Sequence, residues 1–254
     1  MYSTLSVQKK TGIATLTLNL PERRNAMTPV MAQEFPRAVA ELGADPDLKV
    51  VVLTGAGTAF CAGGDLDALY DQTGWPPEQN RIYMGQFYRA FLSIIGLPVP
   101  TIAAINGPAI GAGFCLALGC DLRYAAQGAK MGATYINVGL HPGMGAMHLL
   151  PYHAGHAVAA ELLLTGRLLT AEEAVPLGLI NRAVPGDQLM DFAGGVAREI
   201  AAKSPSAVRG IKQALQRRMS EGLERALDVE ALAQTISFAS EEMRSILIKL
   251  RQPR

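Results

Sequence analysis

The sequence has almost no net charge: 23 lysines and arginines stand against 22 aspartates and glutamates in 254 residues. Such a balance gives no long-range field for a nucleic-acid backbone or an anionic membrane surface, and neither is expected as a partner. Cysteine is scarce. Cys61, Cys115 and Cys120 make neither a disulfide framework nor a metal-knuckle spacing, and free thiols fit a reducing, cytoplasmic setting. Long apolar runs are missing too. The first twenty residues alternate polar and apolar without a secretory leader. Residues 91–105 come nearest to a membrane span, but they carry two prolines and are too short. The four histidines, 141, 148, 153 and 156, are crowded into one segment with no carboxylate or cysteine among them. Their spacing suits no single helix face, so no metal site is expected.

What is present is apolar side chain, 49% of the residues, enough for a sizeable core in one large domain or two small ones. Residues 12–18 alternate with strand period, and 49–54 (KVVVLT) form a short β-branched run of buried-strand type. Strands are also expected at 101–105 and 179–184. Helical spacing marks 29–42, which Pro36 should end or kink, and 79–95. The segment 111–118 reads as a wholly apolar, buried helix. Helices then dominate: 147–153, 157–164, 171–177, 188–202, 206–218 and 223–237. Strands first and helices later indicate an α/β core, residues 1–200, with a helical C-terminal region, residues 201–254.

Gly55-Ala-Gly57 follows a strand, but Phe60 occupies the third glycine position of a dinucleotide fingerprint, and Leu116 does the same after Gly111-Ala-Gly113. There is no Walker lysine and no G-x-S-x-G elbow. Two glycine-rich segments remain, Ala59-Phe-Cys-Ala-Gly-Gly-Asp-Leu66 and Asn106-Gly-Pro-Ala-Ile-Gly-Ala-Gly113. Each opens a helix, where the first N–H groups have no backbone acceptor and the helix dipole is positive. By spacing alone they are either tight turns beside packed helices or two donor sites that converge on one oxyanion.

The ordered blocks Pro21-Glu-Arg-Arg-Asn-Ala26, AFCAGGDL, AAINGPAIGAG, CDLRYAA, GLHPGMG and LLTGRLLTAEEAVPLGLINRAVP together resemble the enoyl-CoA hydratase/isomerase (crotonase) family, from about residue 5 to about 240. The resemblance implies a crotonase-like spiral of ββα units with a C-terminal helical trimerisation region, giving a homo-trimer or hexamer. It implies an acyl-CoA or enoyl-CoA ligand whose thioester oxygen is held by the backbone N–H groups of Gly64 and Ala112. Arg24, Asn25, Ala26, Ala62, Gly63, Asp65, Leu66 and Gly111 would line the CoA arm, and Lys249 and Arg251 would reach a neighbouring subunit's CoA. Coenzyme A enters as part of the substrate, so no separate cofactor is expected.

Three positions depart from the family pattern. Hydratases of the family use two glutamates; Cys115 and Tyr135 stand there instead. Some isomerases use an aspartate after the turn's proline; Gly143 stands there, after Pro142. The candidates to move protons are Tyr135, whose phenol ordinarily ionises near pH 10, and His141, whose imidazole ordinarily titrates near 6.5. Cys115 reads as an apolar filler. Asp67, Tyr70 and Asp71 read as helix-surface or pocket-wall residues, and Trp75, Tyr83, Phe87 and Phe114 would set pocket length. Two functions follow: an acyl-CoA enzyme that stabilises a thioester enolate (hydration, isomerisation or decarboxylation), or a non-catalytic fatty acyl-CoA binding protein. A purely structural protein would have no need for the two glycine segments.

Overall fold

The alternating N-terminal segment folds as a hairpin. In the computed structural model, which describes residues 2–251, β1 (Leu5–Lys10) pairs antiparallel with β2 (Ile13–Leu18). Residues 1 and 252–254, the outer ends of the two expected regions, lie outside the described residues. In β2 the even-numbered side chains Ala14, Leu16 and Leu18 are buried, as strand period requires.

Next come α1 (Pro29–Gly43), β3 (Val50–Gly55), α2 (Leu66–Gln72), α3 (Pro77–Leu92), β4 (Thr101–Ile105), β5 (Ala109–Ile110), α4 (Ala112–Leu118), β6 (Leu122–Ala126) and β7 (Lys130–Gly132). The second half holds α5 (Ala146–Thr165), β8 (Leu169–Thr170), α6 (Ala171–Ala174), β9 (Arg182–Val184), α7 (Leu189–Ala201), α8 (Pro205–Ser220), α9 (Leu223–Phe238) and α10 (Glu241–Arg251). The main sheet has the order β1-β2-β3-β4-β6-β9 and is parallel from β2 onward. A smaller sheet joins β5, β7 and β8. The expected α/β core with trailing helices is therefore present.

Every residue of β3 is buried, because a central parallel strand is covered on both faces. One cover is α7, which packs on the main sheet and buries Leu189, Ala193 and Ala197 at four-residue spacing. The other side holds α1 and α3, joined by Phe35 and Phe91 with ring centroids 5.3 Å apart. Thr28 caps α1 by accepting the Met31 N–H (3.2 Å), and Pro29 begins it.

Three local expectations are corrected. Pro36 does not end α1, which continues to Gly43; buried Phe35, Ala38, Val39 and Leu42 hold it across the one missing backbone bond. The strand expected at 179–184 is only Arg182–Val184, because the Leu179 N–H turns back to the Ala174 carbonyl. The helix expected from residue 79 starts at Pro77 and ends at Leu92, where a 3-10 turn takes over. The two helices expected at 147–153 and 157–164 are the halves of α5, broken at Gly155 (φ 77°, ψ 165°).

The C-terminal helices fold back onto the core. The α9 helix packs along α3, and α10 packs against α2. Buried Lys212 on α8 reaches Asp121 (2.8 Å), which in turn accepts the Thr101 N–H at the start of β4. Among the described residues no helix is long and apolar enough to cross a membrane.

Candidate active site

The two glycine-rich segments are laced together by backbone. Cys61 N–H donates to the Pro108 carbonyl (3.1 Å), and Ile110 N–H donates back to the Cys61 carbonyl (2.9 Å). Gly63 sits at φ +92°, and a β-carbon there would stand 2.6 Å from the Ile110 carbonyl oxygen. Only glycine allows that approach. The same point lies 3.7 Å from the Ala112 nitrogen, so the segments meet beside the start of α4. Gly64 lies just before Asp65, whose carboxylate caps α2 by accepting the Ala68 N–H (3.0 Å). Among the described residues neither the Gly64 N–H nor the Ala112 N–H donates to a backbone acceptor, and both residues line the same cavity.

That cavity measures about 170 Å³. Met27, Leu69, Met84, Phe87, Leu140 and Met144 give it apolar walls. Ala62, Gly63, Asp65, Leu66, Gly111 and Tyr135 of the expected set line it. Asp65 is its one carboxylate among the described residues, and both oxygens are engaged, by the Ala68 N–H and by Arg23 (2.7 Å).

Tyr135 is buried, and its hydroxyl donates to the Gly143 carbonyl (2.9 Å) with the Cys115 sulfur 3.4 Å away. Burial, reinforced by Cys115, holds this phenol well above its usual pKa, so it is a proton donor and not a base. Burial likewise pushes the Cys115 thiol up to about 12, which leaves it an inert, small apolar group. Gly143 is not simply vacant of a carboxylate. A β-carbon there would stand 2.5 Å from the Tyr88 hydroxyl and 2.7 Å from Gln234 Nε2. The space an aspartate would use is already filled.

Other expected residues fall elsewhere. His141 does not line the cavity. Its ring Nδ1 turns to the Pro142 carbonyl (2.7 Å), while its backbone is pinned to α9 by Ser237 (2.9 Å) and Gln234 (2.8 Å). Asn25 is fully buried, accepting the Leu20 N–H and donating to the Ala56 and Ala59 carbonyls. It braces the turn and offers nothing to a ligand. Arg24 is exposed in a left-handed conformation (φ 51°), in an outer groove with Ala26, Ala62, Gly64, Asp65 and Leu66. Arg251 binds Asp67 of the same chain (2.8 Å) and lies over the Tyr70 ring (4.3 Å). Tyr83 and Phe87 line the cavity, whereas Phe114 and Trp75 do not. His148 and His153 each meet a backbone carbonyl, of Met219 (2.7 Å) and Leu118 (3.0 Å).

Sequence reasoning passed over Arg23, Tyr88, Glu230 and Gln234. Arg23 joins Asp65 and Asp67 (2.8 Å) at the groove's edge. Tyr88 belongs to the buried stripe Met84, Phe87, Tyr88 and Phe91 of α3; a hydroxyl on that otherwise apolar face was the available signal. Glu230 is buried on α9, where its two oxygens accept the N–H groups of Gly145 (2.7 Å) and Met147 (2.8 Å) at the start of α5. Burial pushes its carboxyl up to about 7 despite those two bonds. A glutamate on a late helix gives no sequence signal of this kind.

Comparison with known proteins places the chain in a family. Residues 8–250 match the family described as enoyl-CoA hydratase/isomerase. The chain is 37% identical to the 1,2-epoxyphenylacetyl-CoA isomerase of Escherichia coli, covering 92% of this chain and 89% of that protein. It is 32% identical to the crotonyl-CoA hydratase of Syntrophomonas wolfei, over 96% of this chain and 93% of that one. The crystal structure of an enoyl-CoA hydratase/isomerase from Mycobacterium paratuberculosis superposes with a TM-score of 0.90 at 30% identity, covering 98% and 99% of the two chains. The chain belongs to the enoyl-CoA hydratase/isomerase family.

Proposed function

We propose that this family member is an acyl-CoA thioester enzyme that holds the thioester oxygen between the Gly64 and Ala112 N–H groups and stabilises an enolate there. The observation that carries this reading is the pair of free N–H groups lining one cavity. Fixed donors aimed at developing negative charge are worth roughly 3–4 kcal/mol each. Among the described residues no free carboxylate faces them, so removal of a C–H proton, as isomerisation requires, and activation of water, as hydration requires, both lack their usual base. Decarboxylation needs neither. The C–C bond to the departing carboxylate breaks, its electron pair becomes the enolate, carbon dioxide leaves, and a proton from Tyr135 or water completes the acyl group.

CoA enters as part of the substrate, with its arm along the outer groove beside Arg24. The exposed apolar stripe Val229, Leu232 and Ile236 on α9 supports assembly through residues 201–254 as a homo-trimer or hexamer. Calorimetric titration with acyl-, enoyl- and carboxyacyl-CoA esters, followed by mass analysis, tests the reading. Binding with loss of carbon dioxide from a 2-carboxyacyl ester is the expected result. Crotonyl-CoA gaining water at an ordinary hydratase rate would overturn it. The engaged state of Asp65 favours one second reading, a non-catalytic fatty acyl-CoA binder, for which every ester would be recovered unchanged.

A further inference from the structure

The loop after β3, residues 56–59, lines neither the cavity nor the outer groove, yet its last carbonyl joins both donor segments. Two asparagines meet on the Ala59 oxygen, Asn25 Nδ2 donating at 2.8 Å and Asn106 Nδ2 at 3.3 Å. A carbonyl oxygen has two lone pairs, and the two amides supply a donor for each. Each nitrogen also makes a second bond, Asn25 to the Ala56 carbonyl (2.9 Å) and Asn106 to the Gly57 carbonyl (3.0 Å). The amide oxygens accept the Leu20 N–H (2.9 Å) and the Gly55 N–H (3.1 Å), so neither amide can flip without losing bonds. Gly55 leaves room for this meeting: a β-carbon there would collide with the Ala59 oxygen and stand 2.7 Å from Asn25 Nδ2.

Each asparagine leads to a different donor. Asn25 stands in a left-handed turn (φ 56°), a backbone that asparagine adopts more readily than most residues. On either side of it the Arg24 carbonyl accepts the Ala62 N–H (2.9 Å), and the Met27 N–H donates to the Gly63 carbonyl (2.8 Å). This turn therefore holds the chain that runs into Gly64. Asn106 opens the other segment. A β-carbon on Gly107 would collide with the Thr58 carbonyl oxygen, and the Pro108 carbonyl accepts the N–H groups of Phe60 and Cys61 (3.1 Å each). That segment runs on to Ala112.

We propose that Asn25 and Asn106 are positioning residues for the oxyanion donors, and that through the Ala59 carbonyl they set the separation of the Gly64 and Ala112 N–H groups. Neither side chain lines the cavity; both act through the backbone they hold. Donors aimed at a developing charge have to be held to within about 0.5 Å, and a misplacement of about 1 Å can cost about 10²-fold in rate.

The inference rests on the acyl-CoA reading above, and one experiment separates the two. Butyryl-CoA, isotope-labelled at the thioester carbonyl, is bound to the intact protein. Calorimetry follows binding, and infrared difference spectroscopy follows the carbonyl stretch, which falls when two donors polarise the bond. Asn25→Asp and Asn106→Asp keep the shape of each side chain but replace its donating nitrogen with an acceptor. In each, the frequency shift is expected to shrink. Turnover of the accepted ester is expected to fall roughly 10- to 100-fold in kcat, with KM within about threefold. The double variant is expected to lose little more than the worse single one, because both release the same carbonyl. An undiminished shift and kcat in folded variants that only melt earlier would make the amides loop staples and overturn the proposal, as would a rise in KM at constant kcat. Where a variant does not fold, Asn25→Gly, which keeps the left-handed turn, or Asn106→Ser takes its place. An unshifted carbonyl on butyryl-CoA bound to the unaltered protein would remove the oxyanion hole and this inference with it. Failure of butyryl-CoA to bind at all would remove the acyl-CoA reading as well.

Discussion

The two walls of the cavity are built in opposite ways. One wall is backbone: the Gly64 and Ala112 N–H groups lie beside the bare α-carbons of Gly63 and Gly111, on two short segments bridged to each other. The other is side chain: Tyr88 from α3, Tyr135 from a 3-10 turn and Gln234 from α9 meet over Gly143. The backbone wall depends on local conformation, and two glycines at positive φ, Gly63 and Gly111, fix it. The side-chain wall depends on α9 packing along α3, so it can change chemistry without disturbing the first. Such a division permits one backbone wall to serve more than one chemistry.

The comparison breaks most sharply at Ala112. Proline suits the first position of a helix, so Ala112→Pro removes one N–H and leaves α4 in place. Turnover of the accepted CoA ester is expected to fall roughly 10²–10³-fold, and unchanged turnover in a folded variant would show that the backbone wall is not the reactive one. Next in size is Glu230, behind the side-chain wall. Its carboxyl stands near 7 in the fold and near 4.3 in an unfolded chain (about 4 kcal/mol between them). The folded state keeps its proton to higher pH, so this contribution is complete below about pH 4 and is lost as pH rises through 7. Denaturant titrations at pH 5 and pH 8 should show a smaller decline in Glu230→Gln than in the unaltered protein; identical declines would count against a buried ionisable carboxyl.

Gly143→Asp tests the side-chain wall by crowding. It is expected to lower stability by about 1–3 kcal/mol, and Tyr88→Ala in the same chain should recover part of that loss. Simple additivity of the two changes in thermal unfolding would refute the clash. Tyr135→Phe removes one of two hydrogen bonds to the Gly143 carbonyl, which keeps the Ala146 N–H (3.2 Å), and about 1 kcal/mol of stability should go with it. The smallest effect is His141→Ala. Its ring faces a backbone carbonyl away from the cavity, so turnover within about twofold of the unaltered protein is expected, and a large loss would return His141 to the chemistry.

Sequence carried the backbone wall because its cause is local. AFCAGGDL and INGPAIGAG hold their glycines where the chain must approach itself, and Gly63 meets Ile110 because of their conformation alone. The strands at 50–55 and 101–105 were legible for a related reason: continuous β-branched or apolar runs are what two-sided cover requires. The short strands at 109–110 and 169–170 carry too few residues to show a period. The side-chain wall was illegible because its members are separated by up to 146 positions, from Tyr88 to Gln234, and meet only through tertiary packing. His141 illustrates the limit: its spacing near Gly139 was readable, but the rotamer that turns its ring to the Pro142 carbonyl was not.

The crowding over Gly143 also constrains how this sequence changes over generations. Glycine and aspartate codons differ by a single nucleotide, so a carboxylate at position 143 is genetically adjacent. It is structurally remote, because the Tyr88 hydroxyl and the Gln234 amide already stand within 2.7 Å of where its first carbon would go. Residue 88 or 234 has to shorten first, and each such step is selected on its own merits before any carboxylate arrives. The order of substitutions then matters as much as their identity, and the present pocket resists the arrival of a carboxylate at this position.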